Sequence, residues 1–298
     1  MGASFIKTIR PAAVGLVAVG LSTPPAVAAP LSPAWQACRA ADPDARIKGC
    51  TVALAHAEKE PKQNRLAAYV NRAGAYQAKG DHAHAIEDYA KALEVDPSSA
   101  VTLTARGAAY QAKGDLDAAL ADYNQAVLKD RKSAAALLAR ASAWRAKGEP
   151  DKALADIEAA AALDKKTAAP LLARAHHHQS RGDHDRAVAD YSEALKRDPR
   201  AAAALVGRGA SYYAKADYDK ALADLDAAVK ADPQNAAALI NRANAWRGKK
   251  DYAKAKADYE AALASKPDLA AARKGLDDVT KLLAQKTAAG AASGVERP

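Results

Sequence analysis

The chain has 298 residues, a formal net charge of +9, 50% hydrophobic residues and only 5% aromatic residues. A single hydrophobic core of this size would be near its upper limit, so the length favours several units packed in a row. After the N-terminal segment no run of 18 or more apolar residues occurs, and we predict no membrane span in the mature chain. The basic balance suits an acidic protein, a nucleic acid or an anionic membrane surface, and does not choose among them.

Residues 1–28 have the pattern of a secretory signal peptide. Lys7 and Arg10 provide positive charge, residues 11–21 form a short apolar region, and residues 26–28 (Ala-Val-Ala) match the small-residue cleavage pattern. We predict that the mature chain starts at Ala29 and is periplasmic or secreted. Cleavage removes two cations and lowers the net charge from +9 to +7. The alternative is an uncleaved N-terminal anchor.

Residues 29–65 are predicted to form an N-terminal capping hairpin, which is a degenerate copy of the repeat described below. One helix is expected over residues 33–41 and a second over 45–58, followed by an extended polar loop over 58–65. The hairpin holds the two cysteines of the chain, Cys38 and Cys50. Because export favours oxidation, we predict a disulfide between them. The alternative is a pair of buried free thiols.

The rest of the chain is organised by a period of 34 residues, which is typical of stacked helical units. In the first copy, helix A is predicted over residues 66–79 and helix B over 82–95. Between them, Gly80 takes a left-handed turn and Asp81 caps helix B. In the last two copies Ala216 and Lys250 must make the same turn without glycine. The six copies span residues 66–99, 100–133, 134–167, 168–201, 202–235 and 236–269.

Comparing the copies with one another separates the predicted framework from the surface. A small residue recurs where helices must approach closely, at Ala73, Gly107, Ala141, Ala175, Gly209 and Ala243. A large residue recurs on helix B, at Tyr89, Tyr123, Ile157, Tyr191, Leu225 and Tyr259. Large residues facing small ones are how helix pairs interlock.

Two charged columns are equally regular. Helix A carries Arg72, Arg106, Arg140, Arg174, Arg208 and Arg242, and helix B carries Asp88, Asp122, Asp156, Asp190, Asp224 and Asp258. We predict that these residues pair, within or between repeats, and fix the stacking register, since a buried arginine usually needs a carboxylate. The alternative is a stripe of arginines that binds an acidic ligand.

The residues quoted so far resemble the tetratricopeptide repeat family over residues 66–269. The resemblance implies an all-α fold, a right-handed α-solenoid of stacked helix–turn–helix repeats. The chain departs from the family pattern at Arg131 and Lys165, where a proline should follow helix B, and at Ala216 and Lys250. After the last copy, residues 270–286 are predicted to form a C-terminal capping helix with apolar residues on one face, and residues 287–298 a flexible tail.

The resemblance also implies a concave groove, lined by the A helices, that holds a peptide or helix of a partner protein. Carried over to this sequence, the groove comprises Val70, Asn71, Gln77, Thr104, Gln111, Leu138, Arg145, Leu172, His176, Gln179, Val206, Tyr213, Ile240, Asn241, Asn244 and Arg247. Apolar anchors flanked by amides suit an extended or helical segment. We therefore expect a non-enzymatic scaffold or adaptor of the bacterial cell envelope. The alternative is a module that binds an anionic envelope ligand, such as a cell-wall polymer or a lipid headgroup.

No catalytic motif occurs in the sequence, so neither an enzyme nor a cofactor is expected. His176, His177 and His178 are consecutive, and consecutive helical residues point about 100° apart, so these three cannot converge on one ion. His176 with His184 is the alternative metal pair, for which further ligands are missing. Nucleic acid is not expected as a partner of an exported protein.

Overall fold

A computed structural model describes residues 32–55 and 57–293, so the predicted signal peptide and the last five residues lie outside the described residues. The described residues form fifteen α-helices and one short 3₁₀ helix, with no strand among them. They group into two compact units, one up to Leu163 and one from Asp164 onward. The α-helices are α1 (Pro33–Ala37), α2 (Pro43–Leu54), α3 (Lys62–Ala78), α4 (His82–Val95), α5 (Ala100–Lys113), α6 (Leu116–Lys129), α7 (Ala134–Ala146), α8 (Pro150–Leu163), α9 (Ala169–Ser180), α10 (His184–Arg197), α11 (Ala202–Ala214), α12 (Tyr218–Ala231), α13 (Ala236–Gly248), α14 (Tyr252–Ser265) and α15 (Ala270–Ser293).

The all-α class of stacked helix–turn–helix repeats is confirmed, with three A and B helix pairs in each unit. The turn between A and B is left-handed in each repeat. Gly80 has a φ of 78°, and where glycine is missing Ala216 has a φ of 59° and Lys250 a φ of 61°. An aspartate then caps helix B in five repeats, and the third has Glu149 at this position. In the first repeat Asp81 Oδ1 accepts the His84 amide at 3.2 Å.

The end of helix B depends on aspartate rather than on proline. Asp130 and Asp164 stand where α6 and α8 end without a following proline. Asp130 Oδ1 accepts the Lys132 amide at 2.9 Å, and Asp164 Oδ1 accepts the Lys166 amide at 2.9 Å. A side-chain acceptor that binds the backbone two residues later forms a turn by itself, so Arg131 and Lys165 are tolerated.

In the N-terminal cap, Cys38 and Cys50 form the predicted disulfide, and both are fully buried with Trp35 and with Ala68 of α3. The helices differ from those predicted, since α1 ends at Ala37 and α2 starts at Pro43. The predicted loop over 58–65 is wrong from Lys62 onward, where α3 starts four residues before the repeat. Pro61 permits this early start because it lacks the amide hydrogen that a first helical turn leaves unbound.

Large residues of the B helices pack against small residues of the A helices within each unit, as predicted. In the N-terminal unit, a Cβ on Gly107 would lie 2.7 Å from the ring of Tyr123. In the C-terminal unit, a Cβ on Gly209 would lie 2.7 Å from Leu225. These contacts leave no room for alanine at either glycine.

The C-terminal helix α15 covers the last repeat in the same way, with a glycine packed against a large side chain of helix B. Gly275 is buried on Tyr259, whose ring lies 2.4 Å from where a Cβ would stand. Sequence analysis identified the apolar face of this helix but had no role for Gly275. The helix also runs to Ser293, past the predicted end at Lys286, because the alanines after Thr287 favour helix. The part of the tail that remains, residues 294–298, lies outside the described residues.

The two charged columns pair within each repeat, which confirms the predicted Arg–Asp pairs. In each of the six repeats the guanidinium lies 2.6 to 2.8 Å from the carboxylate sixteen residues later. The aspartates are buried, between 2% and 8% exposed. A bidentate arginine is the natural partner of a carboxylate in this setting. The arginine column therefore belongs to the framework rather than to a free acidic-ligand stripe.

A second set of ion pairs, which sequence analysis missed, joins successive repeats at the surface. Lys147 pairs with Asp117 in the N-terminal unit, and Lys215 with Asp185 and Lys249 with Asp219 in the C-terminal unit. The spacing of 30 residues between each lysine and its aspartate was visible in the sequence.

Candidate binding surface on the A helices

The predicted groove residues of the N-terminal unit lie on one face of α3, α5 and α7. On α5, Thr104 and Gln111 are seven residues apart, which places them on the same side of a helix. Gln111 Nε2 donates to Ser142 Oγ of α7 at 3.1 Å, so successive A helices touch along this face. The apolar members Val70 and Leu138 are half-buried. We call this the A-helix face of the N-terminal unit.

The most exposed apolar residue on this face is one that sequence analysis did not select. Val101 lies three residues before Thr104 and is 66% exposed. The sequence already sets Val101 apart, since the five other repeats carry alanine at this position. Val101, Val70 and Leu138 give the face its apolar character.

The C-terminal unit has a corresponding face on α9, α11 and α13. Leu172, Val206 and Ile240 are half-buried on it, as are His176 and Asn244 one turn further along. Gln179 Nε2 on α9 donates to the Gly207 carbonyl at 3.0 Å and to Ser211 Oγ at 3.1 Å, both on α11. The A helices of this unit therefore also meet along the predicted surface.

Three of the predicted groove glutamines serve the framework. Gln77 Oε1 accepts the hydroxyl of Tyr89 at 2.9 Å, Gln111 that of Tyr123 at 3.1 Å, and Gln179 that of Tyr191 at 3.0 Å. A buried hydroxyl needs a hydrogen-bond acceptor. The glutamine lies one helical turn after the small residue of helix A against which the tyrosine packs, so its side chain reaches the hydroxyl. Sequence analysis missed this pairing, although tyrosine on helix B and glutamine on helix A recur together in these repeats.

Two other predicted groove residues, in the C-terminal unit, bind tyrosines in the same way. The Tyr191 hydroxyl lies 2.7 Å from His176 Nδ1, and Tyr259 donates to Asn244 Oδ1 at 2.7 Å. Burial raises the pKa of all four of these tyrosines, and that of Tyr89 and Tyr259 to about 12. The hydroxyls therefore stay protonated and keep donating at neutral pH.

The polar side chains left for a ligand are fewer than predicted. The side chains of Asn71, Asn241 and Arg145 make no hydrogen bond or ion pair with the residues that the structure describes, and Arg145 is exposed. Arg247 is engaged, since its Nη1 lies 3.7 Å from Asp278 Oδ2 of α15. In the N-terminal unit the A-helix face thus offers apolar side chains, one amide and one unpaired cation.

Within residues 32–55 and 57–293, no cluster of three histidine, cysteine or acidic side chains could hold a metal ion. His177 is buried, and His178 Nε2 lies 3.9 Å from the Asp190 carboxylate, beside the Arg174 pair. Over the same residues no helix is long and apolar enough to cross a membrane.

Two family models, both described as tetratricopeptide repeat, match the repeats of this chain. One family model, described as tetratricopeptide repeat, matches residues 66–99. A second model of the same description matches residues 104–170, 172–215 and 208–270, more than half of the chain. No curated protein sequence gave a significant match.

Solved structures of low sequence identity share the fold. A tetratricopeptide repeat protein from Parabacteroides merdae is 18% identical, with a TM-score of 0.65 over 83% of this chain and 96% of its own. PilF of Pseudomonas aeruginosa is 17% identical, with a TM-score of 0.63 over 74% of this chain and 100% of its own. A chain of the APC/C hetero-tetramer Cut9–Hcn1 is 16% identical, with a TM-score of 0.68 over 78% of this chain, which spans only 46% of that chain.

Proposed function

Because the chain belongs to the tetratricopeptide repeat family, whose members serve as protein-interaction scaffolds, we propose that it is a non-catalytic adaptor that binds a partner protein. The binding site we propose is the A-helix face of the N-terminal unit. One observation carries the proposal: Val101 is 66% exposed on the same face as the unpaired Asn71 and Arg145. Exposed apolar area beside unpaired polar groups is the usual character of a protein-binding site.

The chemistry of this face selects the kind of segment that it binds. Val70, Val101 and Leu138 would bury apolar side chains of the partner, and the Asn71 amide can bind a backbone group. Arg145 lies on α7, seven residues after Leu138, and adds a positive charge to this face. The proposed partner is therefore an extended or helical segment with two or more apolar side chains followed by an acidic residue.

We propose further that the adaptor acts outside the cytoplasm, in a bacterial cell envelope. The support is the signal-peptide pattern of residues 1–28 together with the Cys38–Cys50 disulfide, since such bonds persist in oxidising compartments. Intact-mass measurement on protein from the envelope fraction tests this proposal. A mass that starts at Ala29 and is two hydrogens below that of the dithiol supports it, and a full-length mass from the cytoplasm contradicts it.

Site-specific photo-crosslinking in the native cell tests the binding surface. The crosslinking residue replaces Val101 on helix A in one strain and Leu128 on helix B in another. The two positions are matched, since both are apolar and they are 66% and 60% exposed. Position 145 serves as a second probe of the A-helix face and position 163 as a second control.

One dominant protein captured at positions 101 and 145, and absent at 128 and 163, supports the proposal. Its crosslinked peptide should contain the apolar and acidic residues described above. Equal capture from both sets of positions, or capture only from 128 and 163, contradicts it.

A further inference from the structure

A cavity of about 500 Å³ lies beside the first repeat, away from the A-helix face. Its walls are the start of α3, the end of α4 and Ala57 of the 3₁₀ helix. Three cations line it, Lys62, Arg65 and Lys91, together with Tyr69 and one carboxylate, that of Glu94.

The polar side chains of this cavity have no partners in the described part of the chain. The side chains of Lys62, Arg65, Tyr69, Lys91 and Glu94 make no hydrogen bond or ion pair with the residues that the structure describes. Arg65 Nε is buried and has no acceptor there. A buried guanidinium nitrogen without an acceptor is costly, which indicates that an acceptor is supplied from outside.

The other repeats serve as an internal control for this cavity. Tyr69 stands where the five later repeats carry leucine, and Leu103 and Leu137 there are only 6% exposed. Lys62 stands one period before Asp96, in the column of the residue that ends helix B, which is aspartate in the first five repeats and Lys266 in the last. None of the later repeats has a basic residue at the positions of Arg65 or Lys91. The first repeat therefore departs from its own pattern at the residues that line the cavity.

The charges and the size define the ligand. Three cations against one carboxylate suit a dianion, and an arginine fork with two ammonium groups suits phosphate oxygens. Asp96 lies outside the cavity lining: its Oδ1 accepts the Ser98 hydroxyl and amide at 2.7 and 3.0 Å, and these bonds, with a smaller contribution from the Lys62 charge, lower its pKa. A volume of about 500 Å³ is in the range of small-molecule sites and exceeds a bare phosphate.

We propose that this cavity binds the phosphate group of a small phosphomonoester that also carries hydroxyl groups. Arg65, Lys62 and Lys91 hold the phosphate, and the Tyr69 hydroxyl donates to it. Glu94 accepts from a hydroxyl of the organic part, which lies against Ala57 and Val95. The inference goes beyond the proposed function, because none of these residues belongs to the A-helix face. The phosphomonoester can be free in solution or be the headgroup of a lipid.

Titration calorimetry on the chain from Ala29 onward tests the proposal with three probes: inorganic phosphate, glycerol 3-phosphate, and phosphatidylcholine vesicles with and without lysophosphatidic acid, which keeps a free glycerol hydroxyl. The variants are Arg65→Gln, Lys91→Gln and Tyr69→Leu, which restores the leucine of the other repeats. Lys113→Gln is the control, since Lys113 is an exposed lysine of the next repeat without a partner in the described part of the chain. Thermal unfolding of each variant checks that the fold is kept.

We expect glycerol 3-phosphate to bind the wild type and Lys113→Gln equally, and more tightly than inorganic phosphate. Loss of a charged hydrogen-bond donor should weaken binding by about tenfold or more in Arg65→Gln and Lys91→Gln. Binding only to vesicles with lysophosphatidic acid, with the same variant pattern, supports the site and identifies the lipid source. No saturable binding, or an equal loss in Lys113→Gln, overturns the proposal.

Discussion

Arg140 holds Asp156 of its own repeat and reaches Asn124 of the preceding repeat at the same time. Its Nε and Nη2 lie 2.8 and 2.6 Å from the two carboxylate oxygens, and its Nη1 donates to Asn124 Oδ1 at 2.9 Å. Arg208 and Arg242 repeat the arrangement in the C-terminal unit, with Ser192 and Asp226 as the third partners. One side chain thus joins helix A to its own helix B and to the repeat before it.

Replacing Asp156 with alanine should destabilise the protein by roughly 3 kcal/mol, because the half-buried guanidinium of Arg140 loses its charged partner. Urea unfolding followed by circular dichroism measures the change. Asp226→Ala is the matched control: it removes only the third contact of Arg242, on a side chain that is 55% exposed, and should cost less than about 1 kcal/mol. Equal effects of the two variants would show that the pair is not part of the framework.

Gly275→Ala should destabilise the C-terminal cap, although alanine is the better helix former. The new Cβ meets the ring of buried Tyr259, and overpacking of this kind costs about 1–3 kcal/mol. Gly74→Ala in α3 is the control, since the nearest atom to its new Cβ is 3.9 Å away. That variant should gain about 0.5–1 kcal/mol from helix propensity. The same urea series compares both, and a stabilised Gly275→Ala would contradict the packing.

Lys250→Gly should raise stability by about 1 kcal/mol, because a lysine at a φ of 61° pays for a Cβ that glycine lacks. The reverse change, Gly182→Ala, places a Cβ at a φ of 79° and should lower stability by a similar amount. Thermal unfolding of both variants measures these two changes in stability. Shifts of the same sign would mean that the left-handed turn does not control the effect.

Stability should fall as pH rises above 10, and the buried tyrosines account for part of the fall. Burial raises the pKa of Tyr89 from 10.0 to about 12 in the folded state. Between these values the unfolded chain loses the proton and the folded chain keeps it. Unfolding is therefore favoured by about 1.4 kcal/mol per pH unit for each such tyrosine, and the contribution is complete only below pH 10.

Denaturant unfolding at pH 9 and pH 11 separates this effect from the titration of lysines. Tyr89→Phe should lose less stability between the two pH values than the wild type. Tyr252→Phe is the matched control, since it removes a half-buried hydroxyl that has no partner among the described residues. An unchanged pH dependence in Tyr89→Phe would show that its hydroxyl is not held in the core.

The framework was predictable because the six copies act as an alignment within one chain. The 34-residue period and the Arg–Asp pairs follow from columns that do not vary, and the left-handed turns at Ala216 and Lys250 follow from the position that these residues share with four glycines. The roles of Gln77 and Gly275 did not follow, because each depends on which ring lies across a helix interface. A groove assignment by column therefore included five side chains that already bind tyrosine hydroxyls.

Features that occur only once were also hard to predict. Val101, Lys62 and Tyr69 depart from their columns, and a departure can mean either a function or the absence of constraint. Their exposure and lack of partners become visible only when the neighbouring helices are in place. The early start of α3 at Lys62 depends in the same way on the cap, since Glu60 accepts from both Trp35 Nε1 and Asn64 Nδ2, at 3.2 and 2.9 Å.

The affinity of the crosslinked partner segment for purified protein tests the central claim most directly. The segment, made as a peptide, is titrated against the wild type, Val101→Asp on the A-helix face and Leu128→Asp on a B helix. We predict at least about a tenfold weaker Kd for Val101→Asp, from the desolvation of a new carboxylate against apolar side chains, and no change for Leu128→Asp. Unchanged affinity in Val101→Asp, or an equal loss in Leu128→Asp, would contradict binding at the A-helix face.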